Sequence, residues 1–299
     1  MTTTTPPTAT ALSGATPTAI THRNTRRYFM RRLLHYRPGF ISLLVLVLLY
    51  LLAFVGPLLY RTSPNEIDLL NILGHPTAQH LLGTDDNGRD ILARLLYGGR
   101  VSLIVGLIAV VIADTVGVVF GAFAGYFGKV TDSVLMRITD ALLAIPSFFL
   151  LLVVLSLFGP SLAKLEIAIG LTSWMTIARL VRGEFLRYKE AEFVQAAKAM
   201  GASDLRVIFR HIMPQAVSPV IVASSVLVGG VIIAESALSY LGLGVQPPQA
   251  SWGNMLTGAQ NFVFTEPALA IYPGLLIVVT VAAFNYFGEG LRTAFNVAE

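Results

Sequence analysis

Residues 196–214 read "AAKAMGASDLRVIFRHIMP", and the fold turns on what interrupts the chain there. On either side the sequence is apolar enough for lipid. Here it breaks off into charge, a glycine, more charge and a proline. Residues 189–200, "KEAEFVQAAKAM", are strong helix formers, with Phe193, Ala196, Ala197 and Met200 recurring at helical spacing. Gly201 follows as a natural left-handed C-cap. Ser203 or Asp204 is placed to cap a second helix, which sets Leu205, Ile208, Phe209 and Ile212 on one face. Pro214 ends the hairpin or opens the next apolar run. The spacing predicts two short amphipathic helices hinged at one glycine. Such an element can lie on lipid headgroups, pack beneath a helical bundle, or seat in a groove of a soluble partner.

The rest of the chain supplies the lipid. Only 13% of its 299 residues are charged, 55% are hydrophobic and the mean hydropathy is +0.70, whereas soluble domains carry about 25% charged residues. No cysteine is present, which excludes disulfides and thiolate metal sites. A spanning helix needs about 20 mostly apolar residues. Six runs qualify: Phe40 to Tyr60, Val101 to Phe127, Ser133 to Phe158, Leu165 to Leu186, Val217 to Leu241 and Ala268 to Phe287. The fourth is the weakest, because it ends in Arg179 and Arg182. Open sheets have no place in lipid, where edge amides lack partners. The expected fold is therefore an all-α polytopic membrane protein of six transmembrane helices. Residues 1–37 are expected to form a disordered, basic segment and residues 38–299 the membrane domain. The apolar run after Arg37 is too long for a signal peptide and reads as a retained span.

Lysine and arginine set the orientation. Arg23, Arg26, Arg27, Arg31, Arg32 and Arg37 precede the first span without an acid among them. Arg187, Lys189, Lys198, Arg206 and Arg210 stand between the fourth and fifth, and no Lys or Arg stands between the fifth and sixth. Both termini and the hinged loop are thus expected in the cytoplasm. Basic residues placed beside spans, without interleaved aromatics, argue against nucleic-acid binding. No internal repeat is evident.

Acids within spans cost about 2.5–3.5 kcal/mol at mid-membrane. Asp114 and Glu235 are candidates to line a substrate path, or else to bond between helices; Asp140 reads as interhelical or shallow. The cluster "GTDDNGRD", residues 83–90, lacks calcium-loop spacing and reads as a solvated turn feeding a helix at Asp90. Pro57, Pro146, Pro219 and Pro273 are candidate kinks. Trp174 and Trp252 read as interface anchors, and the histidines give no ligand pattern. There is no phosphate-binding loop with its lysine, so the chain is not expected to hydrolyse ATP, nor to hold a metal or cofactor of its own.

The hinged stretch resembles the "EAA" loop of binding-protein-dependent ABC importers. Gln195, Ala196, Ala197, Gly201 and the Ile212-Met213-Pro214 end carry the likeness, with Gln195 where that family usually has Glu and Met213 where it usually has Leu. Glu192, one turn earlier, is placed to substitute for the missing charge. "HLLGTDDNGRDILARLLYGGRVSL", residues 80–103, and "SYLGLGVQPPQASWGNML", residues 239–256, resemble the C-type permease of dipeptide and oligopeptide importers. The resemblance implies a type I importer permease fold with cytoplasmic coupling helices. The coupling loop would be residues 187–214, with Glu192, Gln195, Ala196, Ala197, Gly201, Ala202, Asp204, Ile212 and Pro214 facing an ATPase. It also implies a second permease forming a heterodimer, two cytoplasmic ATPases consuming ATP and Mg, an external substrate-binding protein, and residence in the cytoplasmic membrane. A nickel or other small-solute importer shares these motifs. An ion-coupled secondary transporter and a non-transporting scaffold are the rivals from other classes.

Overall fold

The computed structural model describes residues 31–295 except residue 33. Residues 1–30 of the expected disordered segment lie outside the described residues; residues 31, 32, 34 and 35 of it are helical. The helices are α1 (Arg37–Leu59), α2 (Ile91–Phe127), α3 (Lys129–Leu143), α4 (Ser147–Phe158), α5 (Leu162–Lys189), α6 (Glu192–Ala199), α7 (Asp204–Tyr240), α8 (Trp252–Ala259) and α9 (Ala268–Phe295). Among the described residues no strand forms, only a lone bridge between Thr84 and Asp90. The fold is all-α.

Helices α1, α2, α7 and α9 are each long and apolar enough to cross a membrane, and the bent pair α3–α4 makes a fifth. Their outward faces are apolar, as with Leu44, Leu48 and Leu51 on α1 and Ile271, Leu275 and Val278 on α9. The six expected spans are thus not all matched. The third is broken by 82° at Pro146, whose missing N–H and fixed φ stop the helix. The fourth, α5, has the length but too many charges. Composition alone therefore does not mark it as a span, and it buries a stripe of Leu165, Ile169, Trp174, Ile177, Val181 and Phe185. Its arginines are ion-paired to α3, Arg182 to Asp132 at 2.5 Å and Arg179 to Asp140 at 2.5 Å. Charges that look topological in the sequence thus also bind two helices together.

Helix α2 approaches α5 along Gly117, Gly121 and Gly125. A Cβ at Gly117 would lie 2.7 Å from the Trp174 carbonyl, and one at Gly125 2.6 Å from Phe185 Cβ. Small residues four apart let two backbones touch, which favours helix association in lipid. This pair is the spine of the fold. Pro57, Pro219 and Pro273 lie inside α1, α7 and α9.

The segment before α2 is no solvated turn. Thr84, Asp85, Asp90 and Arg94 are buried. Asp85 accepts from Arg89 Nε at 2.8 Å and from the backbone N–H groups of Asn87 and Arg89, both at 2.9 Å. Asp90 caps α2, accepting from the Ala93 N–H at 2.7 Å, and its other oxygen meets Tyr60 Oη at 2.8 Å and His80 Nδ1 at 2.9 Å. The loop folds inward because its acids find donors there. Asp90→Ala removes three partners at once and is expected to cost about 3 kcal/mol, read as a lower thermal midpoint of the detergent-solubilised chain. Asp90→Asn keeps the cap acceptor and is expected to lose less. An alanine variant as stable as the parent would contradict this account of the loop.

Candidate functional site

The hinged stretch folds against the ends of α2 and α5. Helix α6 closes in a Schellman turn: Gly201 has φ +81°, its N–H reaches the Lys198 carbonyl at 2.9 Å, and Ala202 N–H reaches that of Ala197 at 3.0 Å. Ser203 occupies the next N-cap position but its side chain makes no capping bond. Asp204 is also diverted, accepting from Tyr126 Oη at 2.6 Å. Lys189 and Lys198 stand over the Tyr126 ring, 5.9 and 5.2 Å from its centroid. The end of α2 is therefore tied to both arms of the hinge.

The second arm is not a separate short helix. It runs on as α7, and Pro214 does not end it. Pro214 lacks an N–H and crowds the carbonyl four residues back, so the ladder widens to a π turn over Val207–Ile212 with Met213 N–H bonded to the Ile208 carbonyl. The hinge is thus rigidly continuous with a 37-residue helix.

The apolar residues divide between two faces. Val194, Val207, Ile208 and Ile212 are buried and join Ala122, Val181 and Phe185 in one cluster, and Ala197 is buried beside them in sequence. Phe193, Met200, Leu205 and Phe209 point outward, Met200 being 83% exposed. The single faces expected from spacing are corrected accordingly: Ala197, Ile208 and Ile212 pack inward and the others do not. Around the outward apolar patch lie exposed Glu192, Gln195, Ala196, Gly201, Asp204 and Pro214, with Ala202 partly buried. Gln195 donates to Glu190 at 3.1 Å.

Above the hinge, a cavity of about 870 Å³ runs between α5, α7 and α9, lined by Glu184, Arg187, Ser218 and Arg292 among others. Asp114 and Glu235 are not in its wall. Asp114 accepts from Ser224 on α7 at 2.7 Å. Glu235 is fully buried and accepts from Ser102 at 3.1 Å and Ser239 at 2.8 Å. Both bond between or within helices. Ser102 Oγ accepts in turn from the Trp252 N–H, and Ser239 Oγ from the Val245 N–H, so Glu235 anchors the loop and α8 to the bundle. Trp252 and Trp174 are buried rather than anchors at a membrane interface: Trp252 Nε1 donates to the Leu95 carbonyl at 3.0 Å, and Trp174 packs on Phe120 with centroids 4.6 Å apart. Tyr126, Glu184 and the glycine seam escaped the sequence reading. Only the seam left a signal there, glycines at intervals of four. Among the described residues no three metal-ligating side chains cluster.

Residues 117–297 match the family described as binding-protein-dependent transport system inner membrane component, and residues 25–76 match the N-terminal TM domain of oligopeptide transport permease C. The chain is 38% identical to a dipeptide transport system permease protein of Alkalihalophilus pseudofirmus, covering 90% of this chain and 89% of that one. It is 39% identical to the oligopeptide transport system permease protein of Escherichia coli, covering 89% of each. A glutathione transport system permease protein of Pectobacterium atrosepticum is 38% identical over 90% of both. In three dimensions it superposes on a chain of the inward-facing MetNI methionine ABC transporter with a TM-score of 0.53 at 15% identity, covering 68% of this chain and 96% of that one. These spanning helices and matches place it among multi-pass inner-membrane proteins: the chain belongs to the family of binding-protein-dependent transport system inner membrane components.

Proposed function

We propose that the chain is one permease of an ATP-driven importer of short peptides. It pairs with a second permease to form the passage. Two cytoplasmic ATPases supply the energy, an external binding protein delivers the cargo, and both termini face the cytoplasm. The observation that carries this reading is the two-faced hinge. Its inner face is packed into the bundle, so its outer patch of Phe193, Met200, Leu205 and Phe209 is left for another protein. An element rigidly joined to α7 and latched to α2 transmits movement from such a partner to the spans. Closure of the ATPases would then bias a two-state passage. Peptide is favoured over nickel by the relatives, which include dipeptide and oligopeptide transport permeases.

The test is reconstitution of this permease, its second permease, the two ATPases and the binding protein in vesicles. Uptake of a labelled dipeptide or short oligopeptide is expected only with ATP and loaded binding protein. Uptake that ignores ATP and follows an ion gradient, or nickel uptake in place of peptide, would overturn the proposal.

A further inference from the structure

The cavity beside the hinge carries a carboxylate with no ion pair among the described residues. Glu184 on α5 lines it, and its Oε2 is buried without a hydrogen-bond partner. Arg179 and Arg182 are taken up by Asp140 and Asp132, whereas Arg292 is held only loosely, by Glu289 at 3.8 Å. Arg187 lies over the Tyr188 ring. A carboxylate oxygen that is buried without a partner is costly unless something arrives to satisfy it. The wall from α7 includes Val222, Ala223 and Val226, and Arg187 and Arg292 line the same cavity. A volume of about 870 Å³ falls in the range of small-molecule sites, about 300–1,000 Å³. The cavity thus offers an anion and a cation three residues apart on α5, and a second cation on α9.

We infer that Glu184 receives the primary ammonium group of the cargo inside this cavity, with Arg187 and Arg292 facing the cargo's carboxylate. A zwitterionic peptide carries one charge of each sign, and the cavity offers a partner for each: Glu184 with Arg187, about 4.5 Å further along the axis of α5 at 1.5 Å per residue, and Arg292 on α9. The inference rests on the peptide-importer reading and assigns it a residue within the passage. The same ammonium chemistry could be offered by an amine lipid, so the membrane in the test contains none.

The test uses the absence of cysteine in this chain. Ser218→Cys places one thiol on the wall from α7, and Ala223→Cys on the same helix serves if that variant does not assemble. The complete importer is reconstituted in phosphatidylcholine–phosphatidylglycerol vesicles, and labelling of this chain by a small thiol reagent is timed during turnover with and without saturating peptide. Peptide at about ten times its Kd is expected to slow labelling about tenfold, by occupancy of the cavity. Adding Glu184→Gln is expected to abolish the protection and Glu184→Asp to keep most of it. A residue that merely shaped the wall would change labelling with or without peptide. Protection that is absent, or that persists in Glu184→Gln while the unsubstituted importer takes up peptide, overturns the inference. Protection that appears only when phosphatidylethanolamine is added, and not with peptide, overturns it in favour of a lipid amine. If the unsubstituted complex takes up no peptide, the importer reading fails and this inference fails with it.

Discussion

Gly121→Val is expected to unfold the membrane domain at temperatures where the parent is stable, with a loss above about 3 kcal/mol. At this position α2 and α5 touch backbone to backbone. A Cβ would lie 2.8 Å from Val181 Cβ and 3.0 Å from the Arg182 backbone nitrogen, and closer still to the Ala178 carbonyl. Two of those three neighbours are main chain, so no rotamer change makes room. Relief requires the helices to part, which would strip the buried stripe of Ile177, Val181 and Phe185 and disturb the Arg182–Asp132 pair. Gly183→Val is the control, since no atom lies within 4 Å of the Cβ it would gain, and a helix-interior glycine is itself unfavourable. Thermal unfolding of the purified subunit in detergent separates the two. Equal midpoints for the two valine variants would sink the idea that the glycine seam is the spine.

What was legible beforehand follows from where the physical determinants lie. A run such as residues 40–60 declares a span by itself, because the hydrophobic requirement of lipid is local in sequence. Helix α5 does not: only a stripe of it is apolar, and its arginines are tolerated because Asp132 and Asp140 wait on α3. Gly201 was readable as a left-handed stop because glycine's freedom is intrinsic. Spacing offers Ser203 or Asp204 as a cap, yet Ser203 makes no capping bond and Tyr126, 78 residues away, claims the Asp204 carboxylate. The fate of Glu235 depends in the same way on Ser102, 133 residues distant. The two-sided apolar character of the hinge was hidden for a different reason. Spacing identifies a face, but a short helix seated at a bundle's end can present one apolar face inward and a second outward. The family resemblance points to this stretch as a coupling element but not to a face of it, since it names Ala197 and Ile212, which pack inward.

Gly201→Val is expected to lower the peptide taken up per ATP hydrolysed by about 5- to 30-fold, the population shift for the 1–2 kcal/mol that a left-handed backbone costs a residue with a Cβ. The residue stands at φ +81° with no atom within 4 Å of an added Cβ, so the penalty is one of backbone conformation and not of crowding. That makes the prediction sharp. Relaxing φ would break the Ala202–Ala197 and Gly201–Lys198 bonds that close α6, swinging Phe193 and Met200 relative to Leu205 and Phe209. The outward patch would lose its shape while the inward anchors Val207, Ile208 and Ile212 stay packed. Gly201→Asn, which tolerates the left-handed region better, is expected to keep most of the coupling although its side chain is as polar and nearly as large as any that would disturb a docking contact sterically. The two variants therefore separate strain from bulk. If asparagine and valine uncouple equally, the glycine is needed for space at the partner's surface; if neither does, the hinge is not the element that links ATP hydrolysis to transport.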